Sequence, residues 1–184
     1  MLQPMLHHRE NLVLIGFMGS GKSSVGRIAA KALGFQFIDT DQLITERTGK
    51  QISEIFATEG EETFRALETS ALEEFLDRVH CVISTGGGAV LSPKNRSVLR
   101  AIGFVACLGA SEDVLFERVS RNSKRPLLQT DNPRETLSKL IKSRGPLYAE
   151  TAHWEMDTSF VSQTAAVEKL VEAAREAFAW PQPH

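Results

Sequence analysis

Residues 11–24 read NLVLIGFMGSGKSS, an apolar run that ends at a glycine and opens into GFMGSGKS. The eight residues from Gly16 to Ser23 match G-x-x-x-x-G-K-[ST], with a strand pattern before them and a helical pattern after them. Gly16, Gly19 and Gly21 let the backbone curl so that its N–H groups converge on phosphate oxygens. The helix that starts near Lys22 adds its positive end. Lys22 supplies a cation for the β- and γ-phosphates, and the Ser23 hydroxyl can ligate Mg²⁺. A plain glycine-rich strand-to-helix turn needs neither lysine nor serine at those positions. The motif implies that ATP or GTP binds and leaves the acceptor open.

Outward from this loop, five short apolar runs alternate with helical patterns. The runs are 11–16, 35–39, 81–84, 104–108 and 154–158. Their apolarity is continuous rather than alternating, as expected of strands covered on both faces in a parallel sheet. Helices are predicted over 22–33, 61–78, 92–101, 111–119, 133–149 and 164–178. Ser92-Pro93 gives an N-cap followed by proline at the first helical position. The expectation is an α/β fold, a three-layer, doubly wound, five-stranded parallel sheet in one domain over residues 1–184. Residues 1–10 read as a loose leader and 179–184 as a loose tail. The stretch SRNSKRPLLQTDN (120–132) is polar, cationic and aperiodic. It is either a surface loop or a lid over a phosphate site.

A chain of 184 residues that is 42% apolar can bury a full core. Charged residues make up 24% in mixed sign, with a net charge of -2, so there is no basic footprint for nucleic acid. No apolar run is long enough to span a bilayer, and the N-terminus lacks the pattern of a signal peptide. Cys81 and Cys107 both sit in strand-like apolar runs, where buried free thiols are expected. These features predict a cytoplasmic protein without membrane or nucleic-acid partners.

Several further residues fall at the same sheet edge. Asp39-Thr40-Asp41 ends the second run. Carboxylates at the carboxyl ends of strands can organise Mg²⁺ waters and accept a proton from an attacking hydroxyl. An N-cap plus a solvated acid is the bland alternative. Gly86-Gly87-Gly88 follows the third run, which suggests close approach of a ligand to the backbone. Arg65 and Arg144 lie on predicted helices. Either could be a solvated helix face; if both reach one pocket, they form a clamp for a carboxylate or phosphate.

Taken in order, GFMGSGKSSVGRIAA, FIDTD, IFATEGEETFRALE, STGGGAV, RPLL, SRGPLY and MDT resemble the shikimate kinase family, small P-loop kinases of the nucleoside-monophosphate-kinase type. The resemblance spans about residues 11–178. It implies the P-loop kinase fold with a mobile lid at about 119–133 and a shikimate-binding segment at about 40–70. It implies transfer of the ATP γ-phosphate to the 3-hydroxyl of shikimate, in aromatic amino-acid biosynthesis. By motif, Gly19, Ser20, Gly21, Lys22, Ser23 and Ser24 would hold the ATP phosphates. Ser23 would ligate Mg²⁺ and Asp39 would reach it through water. Asp41 would bind the shikimate hydroxyls and orient or deprotonate the nucleophile. Arg65 and Arg144 would take the shikimate carboxylate, and Gly86, Gly87 and Gly88 would line the substrate. Arg125 would be the lid arginine on the phosphates. After MDT, family members often carry arginine or glutamine near the adenine; here Ser159-Phe160-Val161-Ser162 stands there, so no residue is assigned to the base. A monomer is expected. The competing readings are another small-molecule kinase of gluconate-kinase type and a non-catalytic shikimate-sensing module.

Overall fold

The computed structural model of the chain describes residues 9–121 and 131–178. Five strands, β1 (Leu12–Ile15), β2 (Gln36–Asp39), β3 (Cys81–Ser84), β4 (Phe104–Gly109) and β5 (Trp154–Asp157), form one sheet in the order β2-β3-β1-β4-β5. Every pairing is parallel; Leu12 registers with Val82 on one side and with Phe104 on the other. The chain winds from β1 to one edge of the sheet and then to the other. The switch point where a crevice opens therefore lies at the carboxyl end of β1, where the glycine loop begins.

Side-chain alternation along β1 explains the three layers. Leu12 and Leu14 face α1 (Lys22–Leu33) and α8 (Gln163–Phe178), against Val25, Ala29, Leu170 and Ala174. Val13 and Ile15 face the opposite layer, with Phe75, Leu99 and Leu137. That layer holds α4 (Gly60–Glu73), α5 (Pro93–Ile102) and α7 (Pro133–Thr151). All four β1 side chains are fully buried, at about 1.5–3 kcal/mol each. Burial on both faces is why the run is continuously apolar.

A satellite cluster of Ile44, Ile55, Phe64 and Ala71 joins α2 (Thr40–Thr48), α3 (Ile52–Thr58) and α4. It gives this segment its own small core beside the sheet edge. Between α5 and α7, α6 (Glu112–Ser120) follows β4. Ser92 caps α5 as expected, its hydroxyl accepting from Asn95 N–H at 3.3 Å. Cys81 and Cys107 are buried free thiols. Among the described residues no helix is long and apolar enough to cross a membrane.

The structure departs from the sequence reading in three places. The helix expected over 61–78 ends at Glu73 and tightens into a 3₁₀ turn, Glu74–Asp77, which tucks Phe75 into the core. Residues 40–58 hold two short helices, where only a helix start near Asp41 was expected. The leader is not loose as far as residue 10. The Glu10 carbonyl accepts from His80 N–H at 2.8 Å, and its carboxylate meets His80 Nε2 at 2.7 Å. The expected tail at 179–184 lies outside the described residues, as do residues 122–130 of the expected lid.

Candidate active site

The loop after β1 is shaped by its glycines. Gly16, Gly19 and Gly21 all take positive φ, at 138°, 81° and 96°. Gly16 is also too close to its neighbours for a side chain, since a Cβ there would run into the Leu108 carbonyl. Ser20 is wholly buried and closes the turn, its N–H donating to the Phe17 carbonyl at 3.2 Å. The first turn of a helix presents N–H groups that no carbonyl of that helix accepts. In α1 that turn includes Ser23 and Ser24, aimed into the cleft with the positive end of the helix. Lys22 folds back over the loop and donates to the carbonyls of Gly16 at 2.8 Å and Phe17 at 2.9 Å.

Beside this cradle, the Ser23 hydroxyl donates to Asp39 Oδ2 at 2.7 Å and lies 3.2 Å from Ser84 Oγ. Asp39 is the N-cap of α2, its Oδ1 accepting from Asp41 N–H at 3.1 Å. Asp41 lies within the first turn of α2, and Asp39 alone supplies the cap. Capping fixes the Asp39 carboxylate with one oxygen on the helix and the other on Ser23. Asp41 is left to point toward the glycine triplet, where a Cβ on Gly86 would stand 2.8 Å from its Oδ1.

The triplet makes room for protein side chains as well as for a ligand. A Cβ on Gly86 would also meet Glu68 Oε1 at 3.1 Å, and one on Gly88 would strike the Arg65 guanidinium. Arg65 donates from Nη1 to Glu68 Oε2 at 2.8 Å. Glu68, on α4, is 1% exposed, and its Oε1 has no hydrogen-bond partner among the described residues. Burial pushes its carboxyl up to about 7, against the downward pull of Arg65. From α7, Arg144 (7% exposed) reaches the Gly87 carbonyl at 3.4 Å and lies over the Phe17 ring at 5.8 Å. Tyr148, one helical turn on, donates to the same carbonyl at 2.6 Å. Burial raises its phenol above the ordinary range, so it stays a donor.

Thus the structure brings together Lys22, Ser23, Asp39, Asp41, Gly86, Gly87, Gly88, Arg65 and Arg144. The cleft holds about 470 Å³, with the P-loop along one wall and Asp39, Asp41, Gly86 and Gly87 along the other. Arg65 and Arg144 do not line it themselves; they meet its Asp41 end through the glycine triplet. Arg118 and Thr158 line the opposite end, which the sequence reading left unassigned. Arg118 donates to the Gly19 carbonyl at 3.3 Å and to the Thr158 carbonyl at 2.9 Å, tying the β5–α8 loop to the P-loop. Arg125 lies outside the described residues.

Comparison with known proteins agrees with this geometry. A family model described as shikimate kinase matches residues 18–175. A shikimate kinase of Thermodesulfovibrio yellowstonii is 45% identical over 163 residues, covering 89% of this chain and 94% of its own. The structure of a shikimate kinase from Acinetobacter baumannii in complex with shikimate superposes with a TM-score of 0.83 at 38% identity, covering 93% of this chain and 94% of that one. A gluconokinase from Sinorhizobium meliloti 1021 reaches a TM-score of 0.54 at 20% identity over 93% of this chain and 95% of that one. It shares the fold alone. The chain therefore belongs to the shikimate kinase family, whose members are ATP-dependent kinases acting on an alcohol.

Proposed function

We propose that this site transfers the ATP γ-phosphate to the 3-hydroxyl of shikimate, with the P-loop as donor cradle and the glycine-triplet end as acceptor site. The observation that carries the assignment is the convergence of Asp41, Arg65 and Arg144 on Gly86–Gly88 at the end of the phosphate cleft. Two guanidiniums beside the cleft-lining carboxylate of Asp41 suit an acceptor that is both an acid and an alcohol. Arg65 and Arg144 would hold the shikimate carboxylate, and Asp41 would hold the hydroxyl that attacks.

Phosphoryl transfer asks the protein for alignment and charge compensation more than for covalent chemistry. The backbone N–H groups of Gly19, Gly21, Ser23 and Ser24 would take the β- and γ-phosphate oxygens, with Ser20 shaping the turn. Lys22 would exchange its two carbonyl acceptors for phosphate, which moves its charge onto the transferring group. Arg125, by motif, would add a second cation there. Asp41 would accept a hydrogen bond from the 3-hydroxyl and take its proton as the bond to phosphorus forms.

Ser23 Oγ and Asp39 Oδ2, both hard oxygens, fit Mg²⁺ held chiefly by phosphate and water. Bound there, Mg²⁺ would neutralise phosphate charge, with Ser23 as direct ligand and Asp39 acting through water. The buried thiols of Cys81 and Cys107 support a reducing, cytoplasmic setting.

Asp41→Asn tests the assignment. It keeps the shape and removes the proton acceptor, so kcat should fall by at least about 10²-fold while shikimate still binds. A kcat near that of the unaltered enzyme would remove Asp41 from the mechanism.

A further inference from the structure

Arg65 carries two acidic partners, and they are not equivalent. Glu68 Oε2 accepts from Nη1 at 2.8 Å, with its side chain 1% exposed and lodged against Gly86. Glu61 Oε1 accepts from both Nε at 3.2 Å and Nη2 at 3.1 Å, with its side chain 63% exposed. Nε and Nη2 form an edge of the guanidinium that a carboxylate grips with two parallel hydrogen bonds. One of the two guanidinium edges best suited to an incoming carboxylate is therefore already covered by a carboxylate of the protein.

We propose that Glu61 is a placeholder: the acceptor's carboxylate displaces it from the Nε/Nη2 edge of Arg65, so Glu61 sets the affinity of the site for that acceptor. The inference rests on the reading that Arg65 receives the shikimate carboxylate. Exchange of one carboxylate for another keeps Arg65 compensated throughout. Glu61 can leave because water solvates it at once; Glu68 cannot, because it is enclosed. Glu61 also stands one helical turn before Arg65 in the first turn of α4, the favourable order for such a pair. The contact is strong enough to hold Arg65 extended toward the site and weak enough to yield.

The test is calorimetric titration of shikimate into the unaltered enzyme and into Glu61→Gln, Glu62→Gln and Arg65→Ala. Glu61→Gln should tighten Kd by about two- to five-fold, the range expected from an exposed pair. Glu62 is exposed on the same turn, and no ion pair joins it to Arg65. Glu62→Gln makes the same charge change and should leave Kd unaltered. Methyl shikimate, which lacks the carboxylate, should bind equally to the unaltered enzyme and to Glu61→Gln. Unchanged or weaker shikimate binding by Glu61→Gln, an equal gain in Glu62→Gln, or a gain for the methyl ester would each overturn the placeholder role while Arg65→Ala still loses binding. If Arg65→Ala binds shikimate normally, the reading of Arg65 itself fails.

Discussion

Asp41 Oδ1 and Glu68 Oε1 converge on the face of Gly86, 2.8 and 3.1 Å from where a Cβ would stand. Two carboxylates from two helices thus share the space left by one absent side chain. Gly86→Ala should displace Asp41, the shorter and less adjustable of the two. Misplacing a reacting group by a fraction of an ångström is expected to lower kcat by about 10-fold or more. Steady-state kinetics beside a thermal melt would show kcat falling in a folded protein. A normal kcat would mean that the position of Asp41 does not matter.

Arg144 is nearly enclosed and Arg65 half-buried, so each would lose little water when a substrate carboxylate arrives. Arg65→Ala and Arg144→Ala should each weaken shikimate binding by roughly 2–5 kcal/mol, as when one partner of an enclosed charge pair is removed. Nucleotide binding should be preserved, since neither arginine lines the phosphate cleft. An unaltered shikimate Kd in either variant contradicts the clamp.

Glu68 makes stability depend on pH. Burial holds its folded-state carboxyl at about 7, above its ordinary 4.5, so the folded protein keeps a proton that the unfolded chain has released. The stabilisation is complete below pH 4.5 and is lost as pH rises through 7. Glu68→Gln removes this dependence. Between pH 5 and pH 8, the Tm of the unaltered protein should fall more steeply than that of Glu68→Gln. Parallel slopes would show that Glu68 titrates normally.

The P-loop and the sheet were legible because their information is local. A contiguous motif builds the cradle, and burial on both faces leaves continuous apolar runs. Asp41 was legible from its place at the carboxyl end of the second run; Arg65 and Arg144 were legible only through family motifs, since their spacing alone left them as ordinary helix-face charges. Glu68 carried an unused signal. It falls on the apolar stripe of α4 with Phe64, Ala71 and Leu72, where a carboxylate needs a partner. Thr158 stood in the MDT motif without a role, and Arg118 carried no signal, because strand order brings α6 and the β5–α8 loop together and no local pattern records that order. The glycine triplet was read as space for a ligand. The structure adds that Gly86 and Gly88 first make space for Asp41, Glu68 and Arg65.

The proposed site joins a donor cradle to an acceptor pocket specific for a hydroxylated carboxylic acid. ADP release with ATP and Mg²⁺ tests it most directly, using shikimate, gluconate and a nucleoside monophosphate in turn, with Lys22→Ala as the companion protein. Turnover is expected with shikimate alone, with near-complete loss of it in Lys22→Ala. Turnover with gluconate or the monophosphate in preference to shikimate, or a Lys22→Ala protein as active as the unaltered one, would contradict it.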